Sequence, residues 1–79
     1  MDKKLEALKE HLGRNLRSRR AYLKMSQEEV ALKADMDRKH LSMIEGAQAN
    51  PTIQILSQLA AALDTTVSEL LAISETKRR

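Results

Sequence analysis

The residues with the clearest chemical potential lie between Asp37 and Gly46. If this segment is helical, a rotation of about 100° per residue places Leu41 and Ile44 on one arc and polar, basic and thioether side chains on the other. Arginine and lysine can donate to the O6 and N7 atoms of guanine, and an apolar group can contact the thymine methyl. The segment therefore predicts a helix with one buried face and one face suited to the major groove. The outer residues with that chemistry are Arg38, Lys39 and Met43.

A second helix pattern precedes this segment, and the gap between the two has room only for a tight turn. Ser26 and Glu29 have the spacing of a capping box, in which the serine oxygen accepts from a free backbone N–H and the glutamate reaches back. This predicts a helix from Gln27, and Asp37 is the expected N-cap of the next one. The apolar face of the first helix is narrow and consists of Val30, Ala31 and Ala34. Two short helices joined in this way indicate a helix-turn-helix.

The same residues resemble the Cro and phage-repressor family of DNA-binding domains. The likeness is carried by apolar residues at the family's spacing, a small residue early in the first helix and a glutamate ending the second. These residues are Val30, Ala31, Ala34, Met36, Leu41, Ile44 and Glu45. The likeness continues through Asn50-Pro51-Thr52 and LSQLAAALDTTVSELL, and covers about Leu12 to Leu71. The resemblance implies a compact, all-α, five-helix lambda-repressor-like domain that binds double-stranded DNA sequence-specifically and regulates transcription.

The resemblance also implies roles for individual residues. The base-reading positions of the family fall on Arg38, Lys39, Ser42 and Met43. Gln27 matches a position that commonly binds a backbone phosphate, helped by the free N–H groups and positive dipole end of its helix. Arg20 and Glu45 match an arginine and a glutamate that form a structural ion pair.

Three positions depart from the family pattern because they lack glycine. The family usually has glycine where this chain has Lys24, Asp35 and Ala47, and these positions tend to need a left-handed backbone. Aspartate adopts that backbone more readily than lysine or alanine does. Gly46 lies one residue early, which leaves open how the chain leaves the second helix.

The N-terminal segment has leucines at the spacing of an amphipathic helix. They are Leu5, Leu8, Leu12, Leu16 and Leu23. We interpret this stripe as core, with a dimerising arm as the alternative. Gly13 weakens a helix by about 0.5–1 kcal/mol relative to alanine, so either one long helix or a break near Gly13 is compatible with the pattern. Arg14, Arg17 and Arg19 are candidates for contacts with the DNA backbone, as is His40 in the second motif helix.

Composition limits the class of protein. A chain of 79 residues forms one small domain, and 42% hydrophobic residues without Phe or Trp predict an aliphatic, helical core without strands. The 14 Lys and Arg exceed the 11 Asp and Glu, giving a net charge of +3, which is compatible with a polyanionic partner but does not identify one. The absence of cysteine excludes disulfides, zinc fingers and thiol chemistry. No apolar run approaches the roughly 18 residues of a membrane span. We expect a cytoplasmic protein without a cofactor, metal, small-molecule ligand or membrane partner.

The rest of the chain predicts two further helices and a basic tail. Asn50-Pro51 interrupts the helical pattern, and Thr52 should cap the next helix. Its apolar stripe, expected to pack across the helix-turn-helix, is Ile53, Leu56, Leu59, Ala60 and Leu63. Thr66 and Glu69 predict a second capping box. The tail over residues 74–79 contains Lys77, Arg78 and Arg79, and either solubilises the chain or contacts DNA. This divides the single domain into an N-terminal extension (1–11), a core (12–73) and the tail.

The last helix is the expected dimer interface. Its apolar residues, Val67, Leu70, Leu71 and Ile73, cover more of a helix than one core-facing stripe needs. By resemblance, family members commonly dimerise here. One recognition helix reads only a few base pairs, so we expect a homodimeric repressor on an inverted-repeat operator. The rival interface is Leu5 with Leu8.

The alternatives to this function are a protein-interaction module, a restriction-modification controller and an enzyme. Domains of this family also occur in antitoxins and other protein-interaction modules, for which Leu5 and Leu8 could bind a partner. The stretch DRKHLS from Asp37 also resembles restriction-modification controller proteins, which act as both activator and repressor. An enzyme would depend on His11 and His40, which no cysteine, glycine-rich phosphate loop or metal-ligand spacing joins. We therefore predict no catalytic residue and no metal ligand.

Overall fold

The computed structural model describes residues 2–73, and all regular structure in that range is helical. The elements are α1 (Lys3–Tyr22), α2 (Gln27–Lys33), α3 (Arg38–Glu45), α4 (Ile53–Ala62) and α5 (Val67–Leu70). This confirms the predicted all-α fold of five helices. The expected basic tail over residues 74–79, with Lys77, Arg78 and Arg79, lies outside the described residues. Within residues 2–73, no helix is long and apolar enough to cross a membrane.

The first helix is one continuous element of 20 residues, so the alternative of a break near Gly13 is wrong. Its N-cap is Asp2, whose side chain accepts hydrogen bonds from the N–H groups of Lys4 and Leu5. The leucine stripe enters the core in the middle of the helix, where Leu12 and Leu16 are buried. Leu5 remains 39% exposed, because the N-terminal end of α1 extends past the part of the core that covers its middle. The predicted boundary after residue 11 therefore falls inside a helix.

The two motif helices begin with different caps. Ser26 and Glu29 form the predicted capping box at α2, with the N–H of Glu29 donating to Oγ of Ser26 at 3.0 Å and the N–H of Ser26 donating to Oε1 of Glu29 at 2.8 Å. Asp37 is the N-cap of α3, but its side chain makes no capping hydrogen bond, which corrects the expected contact. A carboxylate at the N-cap is still favoured there by the positive end of the helix dipole.

The helix α4 fills the core with Leu56, Leu59 and Ala60, and Leu63 follows it as a buried C-cap. Thr52 caps it as predicted, accepting from the N–H of Ile55 at 3.1 Å. Ile53 is 79% exposed, so its predicted place in the apolar stripe is wrong. It is the first residue of α4 and lines an open groove beside Lys33.

The last helix is shorter than predicted and spans a single turn. It ends at Leu70, so Leu71 is its C-cap and Ile73 lies beyond it. Only half of the predicted second capping box forms. Thr66 accepts from the N–H of Glu69 at 3.1 Å, but the Glu69 carboxylate accepts from the hydroxyl of Thr65 rather than from the N–H of Thr66.

The turns between helices use a left-handed backbone at residues that are not glycine. The values of φ are 58° at Lys24, 57° at Asp35, 60° at Ala47 and 55° at Asp64. The left-handed geometry expected from the missing glycines is therefore present at all three predicted positions. Gly46 has φ of −92°, so α3 ends with ordinary geometry at the glycine and the left-handed residue follows it.

The core is aliphatic and lies between α1 and the motif on one side and α4 and α5 on the other. The helix α1 packs against α3 and α5, and α2 packs against α3 and α4. Seven large side chains are fully buried: Leu16, Val30, Leu41, Ile44, Leu59, Leu63 and Leu70. These contacts fix α3 through its buried face and leave its other face at the surface.

Candidate nucleic-acid interface

The helix α3 separates its apolar residues from its polar ones. Leu41 and Ile44 are 0% and 1% exposed and anchor the helix in the core. The four residues predicted to contact bases all lie on the exposed side, which we call the outer face of α3: Arg38, Lys39, Ser42 and Met43. This face offers a guanidinium, an ammonium, a hydroxyl and a thioether with a methyl end. These are groups that donate to guanine or contact the thymine methyl in the major groove.

The outer face is connected to the N-terminus of α2 through Gln27. Nη1 of Arg38 donates to Oε1 of Gln27 at 3.2 Å. The amide nitrogen of Gln27 donates in turn to Oε1 of Glu45 at 2.9 Å. Both ends of the Gln27 amide are therefore engaged within the protein, and the side chain is half-buried.

The ion pair expected between Arg20 and Glu45 is present and bidentate. Nε and Nη2 of Arg20 lie 2.9 and 3.0 Å from the two carboxylate oxygens of Glu45. Glu45 is 3% exposed and is the one charged residue buried within residues 2–73. Arg20 also donates through Nη1 to the carbonyl of Met25 at 3.2 Å, just before α2. The pair thus ties α1 to the end of α3 and to the turn that leads into α2.

Two of the arginines predicted as candidates for phosphate contacts also hold helix ends. Arg17 donates through Nη1 to the carbonyl of Glu45 at the end of α3. Arg19 donates to the carbonyls of Leu63 and Asp64, both at 2.8 Å, at the end of α4. A cation at a helix C-terminus satisfies free carbonyls and complements the helix dipole. Arg17 is exposed and keeps further donors, whereas Arg19 is half-buried.

Amide side chains hold two other helix ends. The amide nitrogen of Asn15 donates to the carbonyls of Leu70 and Ala72, both at 2.8 Å. Gln58 donates to the carbonyl of Ala34 at 2.6 Å, at the end of α2. Side chains from α1 therefore position the ends of α3, α4 and α5, and α4 positions the end of α2.

The predicted dimer residues separate into buried and accessible ones. Leu70 is 2% exposed and belongs to the core of the chain, which removes it from the available surface. Val67 and Leu71 are half-buried, and Ile73 is 53% exposed. Leu71 shares a mostly apolar groove of about 140 Å³ with Leu5 and Leu8. One residue of the predicted C-terminal interface and both residues of its rival therefore line the same groove, which we call the Leu5–Leu71 groove.

Comparison with known proteins identifies the fold and its use. A family model described as "Helix-turn-helix" matches residues 16–70. The chain belongs to this helix-turn-helix family, of the Cro and phage-repressor type. It is therefore a transcriptional regulator that binds double-stranded DNA, as predicted.

Relatives of this helix-turn-helix protein include proteins named as controllers. The chain is 38% identical over 64 residues to "Control protein C.SmaI" of Serratia marcescens, covering 81% of this chain and 76% of that protein. The restriction-modification controller protein C.AhdI of Aeromonas hydrophila has a similar structure, with a TM-score of 0.76 and 32% identity over 78% of this chain and 94% of that one. The hypothetical transcription factor NHTF of Neisseria matches with a TM-score of 0.79 and 32% identity, over 82% and 75% of the two chains.

Several residues that shape the interface are not apparent from the sequence of this helix-turn-helix protein. Gly13 reads as a helix-weakening residue, Arg19 as a surface cation, and Asn15 and Gln58 carry no motif. Each acts on the backbone of a distant helix or its end, at separations of 23 to 57 residues where a hydrogen bond is formed. One feature of the sequence could have indicated such residues. They are polar or small residues that lie on a helix beside the positions assigned to the core by the spacing of the leucines.

Proposed function

We propose that the chain is a cytoplasmic, homodimeric repressor of the restriction-modification controller type that binds an inverted-repeat operator. The observation that carries this proposal is the outer face of α3, which presents four groups with base-reading chemistry on a helix anchored by its opposite side. Similarity to C.SmaI and C.AhdI, whose names describe a control protein and a restriction-modification controller, supports the controller assignment. In this role the protein binds no cofactor, and neither His11 nor His40 is catalytic.

Base recognition is assigned to the outer face of α3. Arg38 and Lys39, in the first turn, donate to guanine O6 and N7, and Met43, one turn later, contacts a thymine methyl. Ser42 can donate or accept and adds a contact of lower selectivity. Met43 is 42% exposed, so a thioether surface is available to the DNA without rearrangement of the core.

Backbone contacts are assigned to residues that flank α3. The N-terminus of α2 begins at Gln27, where free N–H groups and the helix dipole favour a phosphate. Arg17 is exposed and uses one donor on the carbonyl of Glu45, which leaves other guanidinium N–H groups for phosphate. His40 is half-buried beside the outer face and is a third candidate. Such contacts fix the protein on the duplex without reading its sequence.

Dimerisation is assigned to the Leu5–Leu71 groove together with Val67 and Ile73. A two-fold interface must be complementary to itself, which requires a projecting group and a recess on the same surface. Ile73 is 53% exposed and lies two residues along the chain from Leu71, which lines the groove. We propose that Ile73 of one protomer enters the groove of its partner.

Sedimentation and footprinting test this proposal. The unmodified protein should sediment as a dimer at micromolar concentration and protect two half-sites. Ile73→Glu and Leu5→Glu should each give a folded monomer with weaker operator binding, because both place a carboxylate in the same apolar interface. Ile53→Glu is the matched control, since Ile53 is 79% exposed and lines a different groove beside Lys33. A monomer that protects a single half-site would contradict the dimer. If only one of Ile73→Glu and Leu5→Glu dissociated the dimer, the two residues would not share an interface.

A further inference from the structure

Four polar side chains form a continuous chain of hydrogen bonds from α1 to the outer face of α3. Arg20 binds both carboxylate oxygens of Glu45, at 2.9 and 3.0 Å. One of these oxygens accepts from the Gln27 amide nitrogen at 2.9 Å, and the Gln27 amide oxygen accepts from Arg38 at 3.2 Å. The chain runs from Arg20 through a buried carboxylate to a residue assigned to base recognition.

The order of donors and acceptors permits only one orientation of the Gln27 amide. An ionised carboxylate only accepts hydrogen bonds, and a guanidinium only donates them. Glu45 must therefore face the amide nitrogen, and Arg38 must face the amide oxygen. Turning the amide over would set oxygen against the carboxylate and N–H against the guanidinium, which would replace two attractions by two repulsions. The Glu45 charge thus determines which end of Gln27 is presented to Arg38.

The carboxylate itself is held rigidly. Glu45 is 3% exposed, and its bidentate pair with Arg20 fixes the plane of the carboxylate. Away from water, hydrogen bonds to a charge are stronger than at the surface. Arg38 is exposed, so without this chain its guanidinium would be free to adopt many rotamers.

We propose that Glu45 determines base specificity without touching DNA, by orienting Gln27 so that Gln27 holds Arg38 in position for the base. Glu45 and Gln27 are positioning residues in this account, and it rests on the proposed base-reading role of Arg38. A pre-ordered Arg38 loses less conformational freedom on binding its base, and an ordered side chain of this length is worth up to about tenfold in affinity. The side chain of Gln27 then acts on specificity, which differs from the phosphate contact expected from the sequence.

The test measures the specificity ratio, defined as the dissociation constant for random duplex divided by that for the preferred duplex. Glu45→Gln, studied where circular dichroism shows it folded, should lower this ratio by about tenfold and change binding to random duplex much less. Thr52→Ala is the control for stability, since it removes the cap of α4 and leaves all four members of this chain unchanged. It should keep the ratio. Gln27→Ala tests the same chain without altering the buried pair, and should also lower the ratio.

The combination of variants separates positioning from general stability. In the Gln27→Ala background, Glu45→Gln should lower the ratio no further, because the link between the two sites is already removed. An unchanged ratio in Glu45→Gln would overturn the proposal, as would an equal loss in Thr52→Ala. The proposal would also fail if Glu45→Gln lowered the ratio as much in the Gln27→Ala background as in the unmodified protein. It would fail as well if Gln27→Ala weakened binding to the preferred and the random duplex equally. If the unmodified protein prefers no duplex over random DNA, the proposed function itself fails. That outcome is distinguishable from failure of the positioning proposal alone, in which the unmodified protein still has a preferred duplex.

Discussion

The backbone of Gly13 in α1 lies directly against the carbonyl group of Glu45 at the end of α3. A β-carbon on Gly13 would be 2.4 Å from that oxygen and 3.2 Å from the carbonyl oxygen of Ile44. One turn further along α1, Arg17 donates to the same Glu45 carbonyl. The glycine permits the close approach of the two helices, and the arginine satisfies a carbonyl that has no backbone partner because α3 ends there. Together they set the position of the C-terminal end of α3.

Gly13→Ala should therefore destabilise the protein even though alanine is the better helix former. The atoms in the way are backbone, so α1 and α3 must separate. We expect a net loss of about 1–3 kcal/mol in the free energy of unfolding, measured by urea denaturation, and weaker binding to the preferred duplex. Gly46→Ala is the control, since the nearest atom to its β-carbon would be 3.5 Å away and its φ is −92°. An unchanged or increased stability for Gly13→Ala would show that the helices are not in this contact.

Ala47→Gly should stabilise the protein. Ala47 has φ of 60°, and a left-handed backbone costs an L-residue about 1–2 kcal/mol, partly offset by the greater backbone entropy of glycine in the unfolded chain. The expected gain is about 0.5–1 kcal/mol, or a rise of a few degrees in Tm. Ala61→Gly, on the exposed side of α4, should instead lower stability by about 1 kcal/mol. Destabilisation by both substitutions would mean that Ala47 does not adopt the left-handed geometry.

Much of this fold could be predicted because it depends on local patterns. The capping box at Ser26 and Glu29, the cap at Thr52 and the apolar spacing of Leu41 and Ile44 act within one helix turn or one helix face. The exposed outer face of α3 follows from the same spacing. Periodicity fixes which side of a helix is buried, so both its core and its surface can be read from the sequence.

The sequence does not determine contacts that depend on side-chain conformation or on distant backbone. Asp37 has the residue type of a cap but makes no capping bond, since residue type does not fix the χ angles of a side chain. Leu70 was predicted as an interface residue because its helix has apolar residues on several sides, yet α5 is only one turn long and turns Leu70 into the core. Arg19 satisfies carbonyls that lie 44 and 45 residues away in the chain. Such long-range partners have no periodic signature.

Arg38→Ala and Lys39→Ala should each weaken binding to the preferred duplex by about 1–3 kcal/mol, the discrimination that one good base contact provides. Binding to random duplex should fall less, because that binding depends mainly on phosphate contacts. The two dissociation constants can be measured by fluorescence anisotropy at one fixed salt concentration. Lys33→Ala removes the same charge from an exposed position on α2 and is the control for net charge. Equal losses on both duplexes would reassign Arg38 and Lys39 to the phosphate backbone.

Selection of bound duplexes from a random pool tests most directly whether a dimer of this chain reads an inverted repeat with the outer face of α3. The unmodified protein should enrich one inverted repeat whose half-sites are centred about 34 Å, or one helical turn, apart. Selection with Arg38→Ala should retain the repeat and its spacing but lose preference at one position in each half-site. Enrichment of a single half-site, of no sequence at all, or of an identical site by Arg38→Ala would contradict the account.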